Sequence, residues 1–218
     1  MLAGKPVATV SGGASGCTPS NQPYPIPPGD DNYMFWDTAG LNEADDGTVS
    51  SQAAVQNLLN LVKDHGVNLL IYCIRERLPN ITRVNYDLFW ETICRKEVPI
   101  LLVVTGLEGK HDMNEWWREN QKTIRAMKMS FDGHACITSW KGRGDIYEKE
   151  YKASAEEVWK LVRKHCRPTA WCMPPGWPVQ AQRDIEAYEQ NYYNAYSGNG
   201  MQKFLRELSR FFTLWKTD

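Results

Sequence analysis

Two uninterrupted apolar runs, VNLLIYCI (Val67 to Ile74) and VPILLVVT (Val98 to Thr105), constrain the fold more than anything else in the chain. Neither alternates with polar residues, and both are rich in β-branched side chains. That pattern belongs to strands buried on both faces of a parallel sheet. Parallel neighbours require a crossover connection, usually a helix. The segment between the runs supplies one: Thr82 to Lys96 reads as a helix. From Ser51, the residues Val55, Leu58, Leu59 and Val62 recur at helical spacing, and Gly66 is a natural stop. Downstream, Asp112 is placed to cap a helix running to about Met127, and HACITS (His134 to Ser139) reads as a shorter strand. A further helix carries Ala155, Val158, Trp159 and Val162 on one face. Buried strands alternating with amphipathic helices predict an α/β fold with a doubly wound, mostly parallel sheet.

The flanks differ in character. Residues 1 to about 32 are rich in Gly, Ser and Pro and read as loop, with one short extended piece around Thr18 to Ile26. YMFWDT (Tyr33 to Thr38) then reads as a strand ending at an aspartate. After His165 comes a Pro/Trp-rich connector, Arg167 to Pro178, which its prolines keep from being helical. Two helical patterns follow, near Gln180 to Tyr196 and Met201 to Trp215. The expected organisation is therefore a domain over residues 1–166, with connector and C-terminal helices over 167–218. The last helix has an apolar stripe beside Lys203, Arg206 and Arg210. Docking on the domain is its favoured reading, and peripheral membrane contact the competing one.

A chain of 218 residues suits one such domain with an appendage, and its net charge of -1 gives no reason to expect a nucleic-acid partner. No apolar run reaches the roughly 18 residues of a membrane span, and MLAGKPVATV lacks the features of a secretory signal. Six scattered cysteines form no CxxC pair, and Cys73 and Cys136 fall inside apolar strands, where a thiol behaves as a small hydrophobe. This favours a reducing, cytoplasmic setting and makes the Asn80-Ile81-Thr82 sequon accidental. His165, Cys166 and Cys172 are too few and too irregular for a zinc site, and Trp116-Trp117 reads as packing.

The sharpest chemical signal is Asp37-Thr38-Ala39-Gly40 at the end of a strand. A phosphate site needs a carboxylate there to hold Mg²⁺, commonly through water. It also needs a glycine whose N–H approaches the terminal phosphate unobstructed. Two later segments also close strands. Thr105-Gly106-Leu107-Glu108 stands where a guanine-reading [NT]-K-x-D motif would, with Gly106 in place of lysine and Glu108 in place of aspartate. Ile137-Thr138-Ser139 matches the looser loop that touches the base through its backbone.

Taken in order, these residues resemble the translation-factor-related GTPases, and look like fungal G-domain proteins near the immunity-associated and chloroplast-translocon GTPase branch. The resemblance runs from about Leu2 to His165 and rests on GCT around Thr18, WDTAGLNE (Trp36 to Glu43), VVTGLE (Val103 to Glu108) and HACITS. It implies a G-domain sheet binding GTP or GDP with Mg²⁺. Thr18 and Asp37 would then hold the metal. Asp37, Thr38 and Gly40 would lie at the γ-phosphate, and Thr105, Glu108, Thr138 and Ser139 at the base. A guanine nucleotide is the expected ligand, and a second copy or a protein effector the expected polypeptide partner.

Two departures qualify the activity. Leu41 follows DTAG where many small GTPases have a water-orienting glutamine, so hydrolysis should be slow or partner-dependent. The chain also contains no G-x-x-x-x-G-K-[ST]: Gly4-Lys5-Pro6 has proline for the Ser/Thr, and Gly12-Gly13-Ala14-Ser15-Gly16 has no lysine. In the resembling family LAGKP follows the phosphate loop, so the first strand and that loop are expected to be missing. That strand would be central, between the one ending at Asp37 and the one at Val67 to Ile74. Its loss removes hydrogen bonds on two sides, each worth about 0.5–1.5 kcal/mol net. The expectation is an incomplete gene product more than an evolved loss. Two functional classes follow: a switch-type GTPase domain, and a nucleotide-free interaction module on the same scaffold.

Overall fold

Strand formation follows the apolar runs. The computed structural model describes residues 1–5, 7, 22–26, 33–38, 51–78 and 81–177. Strands β3 (Leu70–Arg75), β4 (Ile100–Thr105) and β5 (Gly133–Cys136) form a three-stranded sheet in that order, both pairings parallel. Leu70 stands opposite Ile100, and Leu101 opposite Gly133. A separate antiparallel pair joins β1 (Gln22–Ile26) to β2 (Tyr33–Asp37), with Tyr24 opposite Phe35.

Both faces of the parallel sheet are covered, as a central parallel strand requires. Alternation along the strands divides the side chains between them. Ile100, Leu102 and Val104 pack with Trp116 and Ile124 of α3 (Glu115–Ala126) and with Tyr86 of α2 (Ile81–Tyr86). Val103, Ala135 and Ile137 pack instead with Val158, Trp159 and Val162 of α4 (Glu148–His165). The hairpin joins this second face, with the Tyr33 and Phe35 rings 5.4 and 5.5 Å from the Trp159 ring. A third cluster ties Leu59 and Val62 of α1 (Ser51–His65) to Leu88, Ile93, Val98 and Trp177.

Several expectations meet a different local structure. The helix expected over residues 82–96 is α2 followed by a π-helical stretch, Asp87–Ile93, visible in the Cys94 N–H donating to Phe89 O at 2.9 Å. Arg95 and Lys96 then take positive φ (52° and 61°) and end it. The strand expected from Val98 begins at Ile100, and that expected over 134–139 is confined to Gly133–Cys136. Asp112 lies before α3 instead of capping it, accepting the Asn114 N–H at 3.0 Å, while Asn114 is the cap residue. The helical patterns near 180–196 and 201–215 lie outside the described residues. The connector is not peripheral: Trp177 is 1% exposed and donates its indole N–H to Ile93 O at 3.0 Å. Among the described residues no helix is long and apolar enough to cross a membrane.

The outer edge of β3 departs from its sequence type. Leu70 N–H donates to Pro99 O at 2.9 Å and Glu76 N–H to Thr105 O at 3.0 Å, so even-numbered positions face β4. The backbone groups of Leu69, Ile71 and Cys73 therefore point away from it. Ahead of β3, where the chain bends at Asn68, the connector takes both residues: Val67 exchanges two hydrogen bonds of 2.8 Å with Trp171, and Asn68 O accepts the Arg167 N–H at 3.2 Å. Beyond that bridge, among the described residues, no strand pairs with this edge. Cys73, expected to behave as a buried hydrophobe, has open surface. Yet the surrounding protein, and after it the Asp37 carboxylate, push its thiol up to about 11.

Candidate functional site

Parallel strands deliver their loops to one end, and ligands of open α/β sheets sit outside the carboxyl ends of the strands. The segments after β4 and β5 meet at that end. Thr105 closes β4 and donates its hydroxyl to Ile74 O at 3.3 Å, which commits it to holding the sheet. Gly106 follows at φ +79°, a conformation that a side chain disfavours. The space that a Cβ there would need is taken by Arg75, whose Cγ lies 3.0 Å from it. Leu107 is buried (1% exposed) and anchors the turn, leaving Glu108 half-buried at the mouth.

Thr138 fixes the other side. It is fully buried, and its N–H donates to Ser154 Oγ of α4 at 3.2 Å. Its hydroxyl accepts the Trp140 N–H at 3.1 Å and has two acceptors for its one proton, Trp140 O at 2.9 Å and Glu108 Oε2 at 3.2 Å. The chain of contacts runs from α4 through Thr138 to the Glu108 carboxylate and the loop after Ser139. Glu108 Oε1 has no hydrogen-bond partner among the described residues. A half-buried carboxylate with one oxygen pinned and one left over can accept from a ligand carrying N–H donors.

The phosphate-side expectations are only partly described. Asp37 ends β2 and Thr38 follows it, both exposed. Thr18 and Gly40 lie outside the described residues. Asp37 offers an oxygen donor of the kind Mg²⁺ takes. Among the described residues no group of three or more His, Cys, Asp and Glu is arranged to hold a metal. Of the expected base-side residues, Glu108 and Thr138 are brought together, Ser139 is exposed beside them, and Thr105 is turned toward the sheet.

Sequence reasoning passed over Arg75, Ser154 and Trp140. No motif marks Arg75, whose place against Gly106 depends on strand register. Ser154 carried a weak signal, being small and polar on the helix face of Val158 and Val162. No protein-family model matches the chain, and no curated protein matches it in sequence.

Proposed function

We propose that this chain is the greater part of a G domain and that its site reads a guanine nucleotide. The observation that carries the reading is the 3.2 Å hydrogen bond between Thr138 Oγ1 and Glu108 Oε2, joining two separately chosen base-side segments at the ends of adjacent parallel strands. Guanine presents N1–H and N2–H donors on one edge, and a carboxylate accepts both, whereas adenine has no matching pair. Asp37 and Thr38 would serve the phosphate and its Mg²⁺, which would neutralise the terminal phosphate oxygens. Leu41 offers no group to orient a water, so hydrolysis by this chain would be slow or depend on a partner.

The open edge of β3 supports the same reading, since the resemblance expects one more strand between β2 and β3. It equally favours the second reading, a nucleotide-free module whose edge accepts a strand from a partner. Titration of a fluorescent GDP analogue with Mg²⁺ separates them. It would be run on the chain and on a version extended by an N-terminal strand and a glycine-lysine-serine phosphate loop. Binding by the extended chain, lost in Asp37→Ala and Glu108→Ala, is the result expected. No binding by either, with both folded, overturns the GTPase reading and leaves the interaction module.

A further inference from the structure

Exposed tryptophan on a tightly held backbone is unusual, because an indole loses most by facing water. Trp140 is 51% exposed, and its neighbour in the same loop, Ile146, is 66% exposed. The backbone beneath them is fixed. Both the N–H and the C=O of Trp140 meet the Thr138 hydroxyl, and Tyr147 N–H donates to Lys141 O at 2.7 Å to close the loop. Gly142 takes φ +81°, and a Cβ there would come within 2.5 Å of Ile146 Cγ1, so the turn requires glycine. Tyr147 stands beside the indole at 6.1 Å between centroids, tilted by 53°. Lys141 is engaged elsewhere, with Glu148 at 3.9 Å and over the Tyr151 ring. In the segment after β4, Gly106 has no side chain to cover a planar ligand, and the Arg75 side chain lies against it.

We propose that Trp140 is the stacking platform of a nucleobase subsite whose hydrogen-bond acceptor is the Glu108 carboxylate. The inference rests on the guanine reading and adds a positioning element to it. The ligand class is a purine with adjacent ring and exocyclic N–H donors. The Thr138 hydroxyl couples the two halves, since it touches the Trp140 backbone and Glu108 Oε2 at once. The backbone that carries the indole is thereby tied to the residue that holds the Glu108 carboxylate, and a base stacked on the indole would direct its donor edge to that carboxylate. Stacking would replace the cover that a lysine stem gives where one is present.

The test uses guanosine, which has no phosphate and so does not depend on any phosphate loop. Saturation-transfer NMR titrations would compare the full chain with Trp140→Ala, Trp140→Phe and Glu108→Gln, each checked for folding by circular dichroism. Guanosine should bind the wild-type chain. Affinity should fall about tenfold or more in Trp140→Ala, the effect of losing one base–aromatic stack, and should largely survive in Trp140→Phe. Glu108→Gln should bring guanosine and adenosine to similar affinity. If Trp140→Ala binds guanosine as the wild type does while Glu108→Gln loses the preference, the platform is overturned and the guanine reading stands. No detectable guanosine binding by the wild-type chain also overturns the platform. The GDP titration of the extended chain then decides the guanine reading separately.

Discussion

Two strand edges in this molecule carry opposite instructions. β1 holds Pro23 and Pro25, residues of the same parity, so both lack an N–H on one side and leave Gln22, Tyr24 and Ile26 to face β2. Such an edge cannot template another strand. β3 has no proline, no lysine and no charged residue before Arg75, and among the described residues no strand pairs with its outward groups at Leu69, Ile71 and Cys73. Compared with β4, where Ile100 to Val104 are all at most 4% exposed, β3 has nearly the same composition but only half-buried or open positions from Leu70 to Cys73. Composition specified burial on both sides, and the described structure provides a neighbour on one. The lesson is that an apolar strand without protective residues reports a missing partner more clearly than any motif does.

The largest test of this contrast is a proline pair. Tyr72→Pro removes an N–H directed at β4 and should cost about 3 kcal/mol or more, or prevent folding. Ile71→Pro removes one directed outward and should leave a folded chain, with a smaller loss in urea denaturation. Equal losses would mean that the outer edge is paired after all. Amide exchange gives the same distinction without mutation, with Ile71 and Cys73 exchanging faster than Tyr72 and Ile74. On the sealed side, Trp177→Ala empties a site 1% exposed and should cost about 3–5 kcal/mol, well above Met34→Ala on the exposed hairpin.

A smaller effect comes from the turn into β3. Gly66 stands at φ +68° with Trp171 O only 2.9 Å from where a Cβ would be. Gly66→Ala should cost about 1–2 kcal/mol from the left-handed conformation, more if the connector must shift, read as a lowered Tm. The smallest concerns pH. Burial holds the His134 imidazole below its ordinary value, with Glu157 opposing, and its ring stacks on Trp117 at 3.8 Å. Its folded-state value is depressed, so the neutral ring is favoured on folding. The contribution is present above the ordinary value of about 6.5 and is lost as pH falls below it. A Tm that drops as pH falls below about 6.5, with a weaker drop in His134→Asn, is the expected result.

Much of the parallel sheet was legible because its signals are local. The apolar runs located β3 and β4, Gly66 ended α1, and Val158, Trp159 and Val162 oriented α4. β1 falls within the extended piece expected around Thr18 to Ile26, but its pairing with β2 was not signalled, because Pro23 and Pro25 interrupt the strand pattern. The π-helical stretch was not legible because Tyr86 is placed by a partner far along the chain, Ser130 O, and Trp90 by Val98 O beyond the end of the helix. Of the site, Glu108 and Thr138 were identified by position after a strand. Their contact depends on strand register, and the Arg75 stem fills the Gly106 gap only because that residue takes positive φ.

The bridge between Val67 and Trp171 has a geometric consequence for any strand that would pair with the outer edge of β3. It engages the chain just ahead of β3, so an added strand would have to begin pairing at Leu69 or beyond. Side chains alternate with period two, and a slip of one residue would exchange every one between the two faces. For such a strand the connector would act as an end-stop, limiting where pairing begins.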